Sequence, residues 1–198
     1  MKIKGVTEMG RRSWLTIFAA FVALGVIAHA APAAANGTGK NKVVLSAELN
    51  ASASDVWKLI GGFDRLQDWH PAVESSTVDG SATTPGTHRV LHLKGGGEIE
   101  EHLSSYSDSA MRYTYDIIKS PLPVENYQSY LTVVDEGGGK SLVIWGSKFD
   151  AAAGATDKKA KEVITGVYKA GLDNLKKKFG AAPAAKAAHK AKKAKKAK

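Results

Sequence analysis

Between residues 42 and 150 the chain alternates apolar and polar positions in short bursts broken by glycine clusters. A period of two is the signature of half-buried strands. Residues 42–49 read as a first strand. Ser52 or Ser54 caps a short helix over 55–60, where Val56, Trp57 and Ile60 fall at helical spacing. Gly61-Gly62 stops it. The strand period then returns over 75–79, 87–94, 98–105, 111–119, 128–135 and 140–150. Turn signals separate most of these, notably Gly95-Gly96-Gly97 and Gly137-Gly138-Gly139, and such short connections predict antiparallel hairpins. From Lys158 the period lengthens: Val163, Ile164, Val167, Tyr168, Leu172, Leu175 and Phe179 mark one face of a long helix. Gly166 and Gly171 interrupt it at about 1 kcal/mol each relative to alanine, which points to a close approach of backbone to the sheet or to a ligand. The order predicts an α+β domain, a curved antiparallel β-sheet wrapped around a long C-terminal helix.

Alternation also sorts the faces. A three-residue Gly95-Gly96-Gly97 loop pairs Leu93 with Ile99 and Leu91 with Glu101. One face then carries Arg89, Leu91, Leu93, Ile99, Glu101 and Leu103, and its apolar count makes it the inner one. The other carries His88, Val90, His92, Glu98, Glu100 and His102. Tyr113, Tyr115 and Ile117 form a further same-face set, as do Val143, Trp145, Ser147 and Phe149. Two loops, 63–71 and 121–127, carry aromatic residues where solvated polar ones are the norm. Trp69 and Tyr127 must therefore either plug a core or line an opening.

Arg89 and Glu101 are the sharpest polar candidates, because charges on an inner face must pair or contact bound ligand and water. Asp68 and His70 could supply an acid–base pair at a pocket mouth, or Trp69 could pack and Pro71 stiffen the turn. On the outer face, His88 and His92 lie roughly 13 Å apart along a strand and cannot chelate one ion together. That set reads as an ordinary polar face, and no metal is expected. The chain has no nucleophile elbow, phosphate loop or dinucleotide fingerprint, so it calls for no cofactor and assigns no catalytic residue.

Composition divides the chain further. Residues 1–35 hold Arg11 and Arg12, an apolar run from Trp14 to Ile27, then small residues through Ala30 and Ala35, the order of a secretory signal cleaved near one of those alanines. The chain is thus expected to be exported to the periplasm, and a twin-arginine route stays open. There is no cysteine, which excludes thiol catalysis and thiolate metal sites. The net charge of +9 is misleading until it is located. Residues 36–180 hold 17 basic and 18 acidic residues, while the tail at 181–198 holds seven lysines and no acid. A nearly neutral domain argues against nucleic-acid binding. After a linker at 36–41 and the domain at 42–180, the Ala/Lys tail cannot bury enough apolar area to fold alone. It is either a solvated appendage or a partner for an anionic membrane surface, peptidoglycan or an acidic protein.

Several local motifs fall in an order that resembles the START-like, helix-grip superfamily, which includes the polyketide cyclase/dehydrase branch. They are Val56-Trp57-x-x-Ile60-Gly61-x-Phe63, Trp69-His70-Pro71, Gly97-x-Ile99-x-Glu101-x-Leu103, Tyr113-x-Tyr115-x-Ile117, Pro121-Leu122-Pro123-Val124-x-Asn126-Tyr127 and Val143-x-Trp145. The resemblance implies a helix-grip fold around an internal hydrophobic cavity that opens beside the loops. Mapped onto this sequence, the cavity candidates are Trp69, His70, Arg89, Leu91, Glu101, Tyr113, Tyr115, Tyr127, Trp145, Phe149 and Val167. Exported members of the MxaD type, which the leader and the 121–127 loop resemble, are accessory proteins of periplasmic methanol oxidation. Three functions stay open: a non-catalytic binder of a hydrophobic or amphipathic small molecule, an accessory to a periplasmic dehydrogenase or cytochrome, and a cyclase or dehydratase.

Overall fold

The computed structural model describes residues 38–182. The expected leader at 1–35, most of the expected tail and the start of the expected linker lie outside the described residues. Ten elements follow in order: β1 (Asn41–Leu49), α1 (Ala53–Ile60), α2 (Leu66–Trp69), β2 (Val73–Val78), β3 (His88–Leu93), β4 (Glu98–Ser107), β5 (Arg112–Lys119), β6 (Val124–Gly137), β7 (Lys140–Ala151) and α3 (Asp157–Phe179). The strands form one antiparallel sheet in the order β1-β7-β6-β5-β4-β3-β2. Consecutive strands from β2 to β7 are hairpin neighbours, and β1 closes the far side against β7. The α+β helix-grip architecture expected from the sequence is therefore the observed one.

Local chemistry explains where the helices begin. Ser52 caps α1 by accepting the Asp55 backbone N–H at 3.1 Å, and Val56, Trp57 and Ile60 turn inward as their spacing requires. Thr156 caps α3 in the same way through the Lys159 N–H at 3.2 Å. The buried stripe of α3 is Ala160, Ile164, Tyr168, Gly171, Leu172 and Leu175. The sheet bends around it with the help of register shifts in β2, β4 and β6.

Three expectations need correction. The β3–β4 loop begins one residue earlier than the glycine triplet suggests: Leu93 closes on Gly97, so Leu91 faces Ile99 and Arg89 faces Glu101. Gly97 is spent on the ladder, and because each partner moves by two residues every side chain stays on its expected face. On the outer side, His92 consequently meets Glu98, with Nδ1 and Oε1 3.0 Å apart. Strand β6 begins four residues before the expected 128, because Asn126 and Tyr127 together oppose Phe149 in a bulge. Asn126 takes a left-handed conformation there (φ 49°) and ties its amide to Asp150 at 3.0 Å. The third concerns Gly166, where an added Cβ would meet open space, so the expected close approach holds only at Gly171.

Candidate functional site

Between the sheet and α3 lies a largely enclosed cavity of about 210 Å³ with walls almost wholly of carbon. Its floor comes from Leu91, Ile99, Tyr115 and Trp145 on the inner sheet face, and its roof from Ile164, Val167 and Tyr168 on α3. Leu66, His70, Ala72 and Val73 close one side. Leu93, Ile117 and Leu122 ring the other, where the β3–β4 and β5–β6 connections meet. A larger depression of about 690 Å³ lies outside the sheet near Lys119, Glu125 and Asn126, but it is polar and open to solvent. The enclosed space is the one shaped to hold an apolar molecule.

A hydrogen-bonded network backs the cavity. Trp145 Nε1 donates to Tyr115 Oη at 3.0 Å and to Ser129 Oγ at 3.2 Å. Ser129 Oγ also contacts Gly146 O and Tyr168 Oη, each at 3.0 Å, and Tyr168 Oη contacts Tyr127 Oη at 2.5 Å. Burial pushes the Tyr168 hydroxyl pKa up to about 12 and moves those of Tyr115 and Tyr127 the same way. All three are therefore neutral hydroxyls at ordinary pH. Tyr127 turns inward in alternation with Ser129 and Leu131, and the bulge at Asn126 brings Val124 to the same buried face.

Arg89 and Glu101 stand opposite each other and are 1% and 4% exposed. Arg89 Nε donates to Glu101 Oε2 at 2.8 Å, Nη2 donates to the same oxygen, and Nη1 donates to the Phe63 carbonyl. The guanidinium carbon sits 3.8 Å from the Phe63 ring centroid. Burial pushes the Glu101 carboxyl up from its usual range, and the Arg89 charge opposes that shift. Removing either partner alone would leave the other buried and unpaired, which typically costs about 3–5 kcal/mol.

His70 has both ring nitrogens engaged. Nδ1 accepts the Ala72 N–H at 3.2 Å, so the proton resides on Nε2, which donates to Val167 O at 3.0 Å. Asn174 Nδ2 adds a second tie from α3, donating to Trp69 O at 2.8 Å. These bonds clasp the α2–β2 segment onto α3 at the cavity wall. Gly171 makes the contact sterically possible, because a Cβ there would lie 2.8 Å from His70 Cδ2 and 2.9 Å from both Trp69 and Trp145.

Of the residues singled out from sequence, His70, Leu91, Glu101, Tyr115, Tyr127, Trp145 and Val167 line the cavity. Four stand behind its wall. Trp69 packs edge-on to Trp145 with centroids 5.2 Å apart, Arg89 lies under Phe63, and Phe149 stacks on Tyr127 at 5.9 Å. Tyr113 meets Trp57 and Phe63 beneath α1, at 6.1 and 6.0 Å. Sequence reasoning did not assign Leu66, Ala72, Val73, Leu93, Ile99, Ile117, Leu122, Ile164 and Tyr168 to the cavity. Tyr168 carried a usable signal, a hydroxyl on the buried stripe of a helix; Leu66 and Leu122 lie in non-periodic segments and carried none. The Asp68 carboxylate turns outward to Arg65 and does not join His70 as an acid–base pair. Among the described residues no group of three or more His, Asp or Glu side chains could hold a metal ion.

Comparison with known proteins gives consistent relatives. The family described as polyketide cyclase / dehydrase and lipid transport matches residues 40–180. The structure of the protein XoxI from Bacillus cereus is 35% identical, covers 70% of this chain and 94% of its own, and superposes with a TM-score of 0.64. Norcoclaurine synthase from Thalictrum flavum, at 21% identity, covers 69% of this chain and 84% of its own with a TM-score of 0.56. A START superfamily protein from Mycobacterium smegmatis, at 11% identity, covers 70% and 96% with a TM-score of 0.59. The last two bear on the fold alone. No curated protein gives a significant sequence match.

Proposed function

Because the chain belongs to the polyketide cyclase / dehydrase and lipid transport family, we propose that it is an exported, periplasmic binding protein that encloses a small apolar molecule without transforming it. The observation that carries this reading is a carbon-walled cavity whose ionisable neighbours are already engaged. A general acid or base must be able to exchange a proton with its substrate. His70 has one nitrogen accepting a backbone N–H and the other donating to a carbonyl, and Arg89 and Glu101 hold each other. That arrangement favours binding over a cyclase or dehydratase reaction. The export half of the proposal rests on the charged, apolar and small-residue order of residues 1–35.

Native mass spectrometry of the protein purified from its own exported compartment, without detergent, tests both halves. The expected spectrum shows a chain beginning after Ala30 or Ala35 and carrying a defined extra mass. A mature chain with no bound mass, co-purifying with a dehydrogenase or cytochrome, would replace this reading with the accessory role that the 121–127 loop suggests. An unprocessed chain recovered from the cytoplasm would overturn the export proposal.

A further inference from the structure

Charge is divided unevenly over the described residues. Helix α3 carries seven lysines against Asp157, Glu162 and Asp173. The other described residues reverse the sign, with ten basic and 15 acidic side chains. Six of the seven lysines are exposed, and Lys176 is half-buried. Asp157 is taken by Asn41 and Lys40 beside β1, which leaves Glu162 and Asp173 to offset the lysines. Lys159 and Lys177 stand five helical turns apart on the side away from the sheet. Gly166, between them on that side, meets open space. At the end of the helix, Ala181 pairs with Leu49, and Ala181 and Ala182 share a shallow hollow with Lys176. Residues 181–198 add seven further lysines and no acid, so the second basic block starts where the first one ends.

We propose that the outer side of α3, together with this following block, docks the protein on an anionic phospholipid surface. The choice of lipid over an acidic protein rests on side-chain chemistry. Every cation of α3 and of residues 181–198 is lysine, while Arg65, Arg89 and Arg112 lie elsewhere. Lysine is a compact point charge suited to a diffuse potential, whereas arginine's fork suits fixed carboxylate partners. Protein interfaces are depleted of lysine and centre on apolar and aromatic anchors. The large hydrophobic residues exposed among the described residues are Val44 and Ile118, and neither is on α3. Helix α3 also supplies Ile164, Val167 and Tyr168 to the cavity roof, so docking sets the roof helix between the lipid and the cavity.

Co-sedimentation of the full chain with vesicles tests the proposal, and no ligand is needed, so the outcome is independent of the binding reading. The chain should sediment with phosphatidylcholine vesicles holding about 30% phosphatidylglycerol, and not with phosphatidylcholine alone. Raising salt from about 0.05 to about 0.5 M should release it. Lys159→Gln with Lys177→Gln should weaken binding about fivefold per lysine, about 25-fold together, while the matching arginine pair retains it. Lys94→Gln with Lys140→Gln, at exposed positions on the hairpins of the sheet, should leave binding unchanged. All of these are surface changes, and an unaltered thermal midpoint confirms that each variant is folded. Equal binding to both kinds of vesicle overturns the proposal. So does wild-type binding by the α3 glutamine pair, which would assign the effect to residues 181–198 alone. Equal weakening by the two glutamine pairs would show that net charge acts without a preferred face, and also overturns it. Binding to polyglutamate without binding to anionic vesicles would replace the lipid surface with an acidic protein.

Discussion

His70 is held neutral by its surroundings. Burial lowers its pKa, and the hydrogen bond to Val167 only partly opposes that shift. Protonation would also place an N–H on Nδ1 against the Ala72 N–H that it now accepts. A histidine whose folded pKa is depressed stabilises the fold fully above its unfolded pKa of about 6.5 and loses that contribution as pH falls. The thermal midpoint is therefore expected to drop between pH 7.5 and pH 5 more steeply in the wild type than in His70→Gln, whose amide is uncharged throughout. Equal slopes in the two proteins would show that His70 does not set the pH response. The sequence placed His70 beside a tryptophan in a loop that either packs or lines an opening, but did not show that its two nitrogens would be occupied by Ala72 and Val167. Those partners are backbone atoms, and any residue type at those positions, proline at 72 apart, would offer them.

Helix α3 carries two glycines with opposite consequences. At Gly171 a methyl group would collide with His70, Trp69 and Trp145, whereas at Gly166 nothing stands within 4 Å. Gly171→Ala is expected to destabilise by about 1–3 kcal/mol through overpacking. Gly166→Ala should stabilise by about 0.5–1 kcal/mol, the ordinary gain in an exposed helix interior. Urea titration of both variants separates the two effects, and a loss of stability in Gly166→Ala would mean that α3 has an unseen neighbour there. Both glycines looked alike in the sequence because the 3.6-residue period reports which face is buried, not how closely the facing element approaches. The bulge in β6 was hidden for a related reason. Nothing in Glu125-Asn126-Tyr127-Gln128 announces that two residues will oppose Phe149, although the tolerance of asparagine for positive φ is compatible with it. The four-residue α2 is too short to show a helical period at all.

The sheet as a whole was legible because period two, glycine turns and one terminal change of period leave few alternatives. The cavity was not, since a filled core and a lined pocket show the same alternation and differ only in whether side chains from sheet and helix meet. The pairing of β1 with β7 has a kinetic consequence. The first strand has no sheet neighbour but the last, and the Lys40 N–H bonds Asp150 across 110 residues of chain. Closing so long a loop before its contacts reward it slows folding, and refolding is expected in the range of milliseconds to seconds, readable by stopped-flow tryptophan fluorescence. A microsecond phase carrying the full amplitude would contradict this. A polypeptide emerging from its N-terminal end would thus hold its first strand in waiting until almost the last residue of the sheet arrives. On the export reading, the same topology that locks the finished grip keeps the travelling chain slack enough to thread.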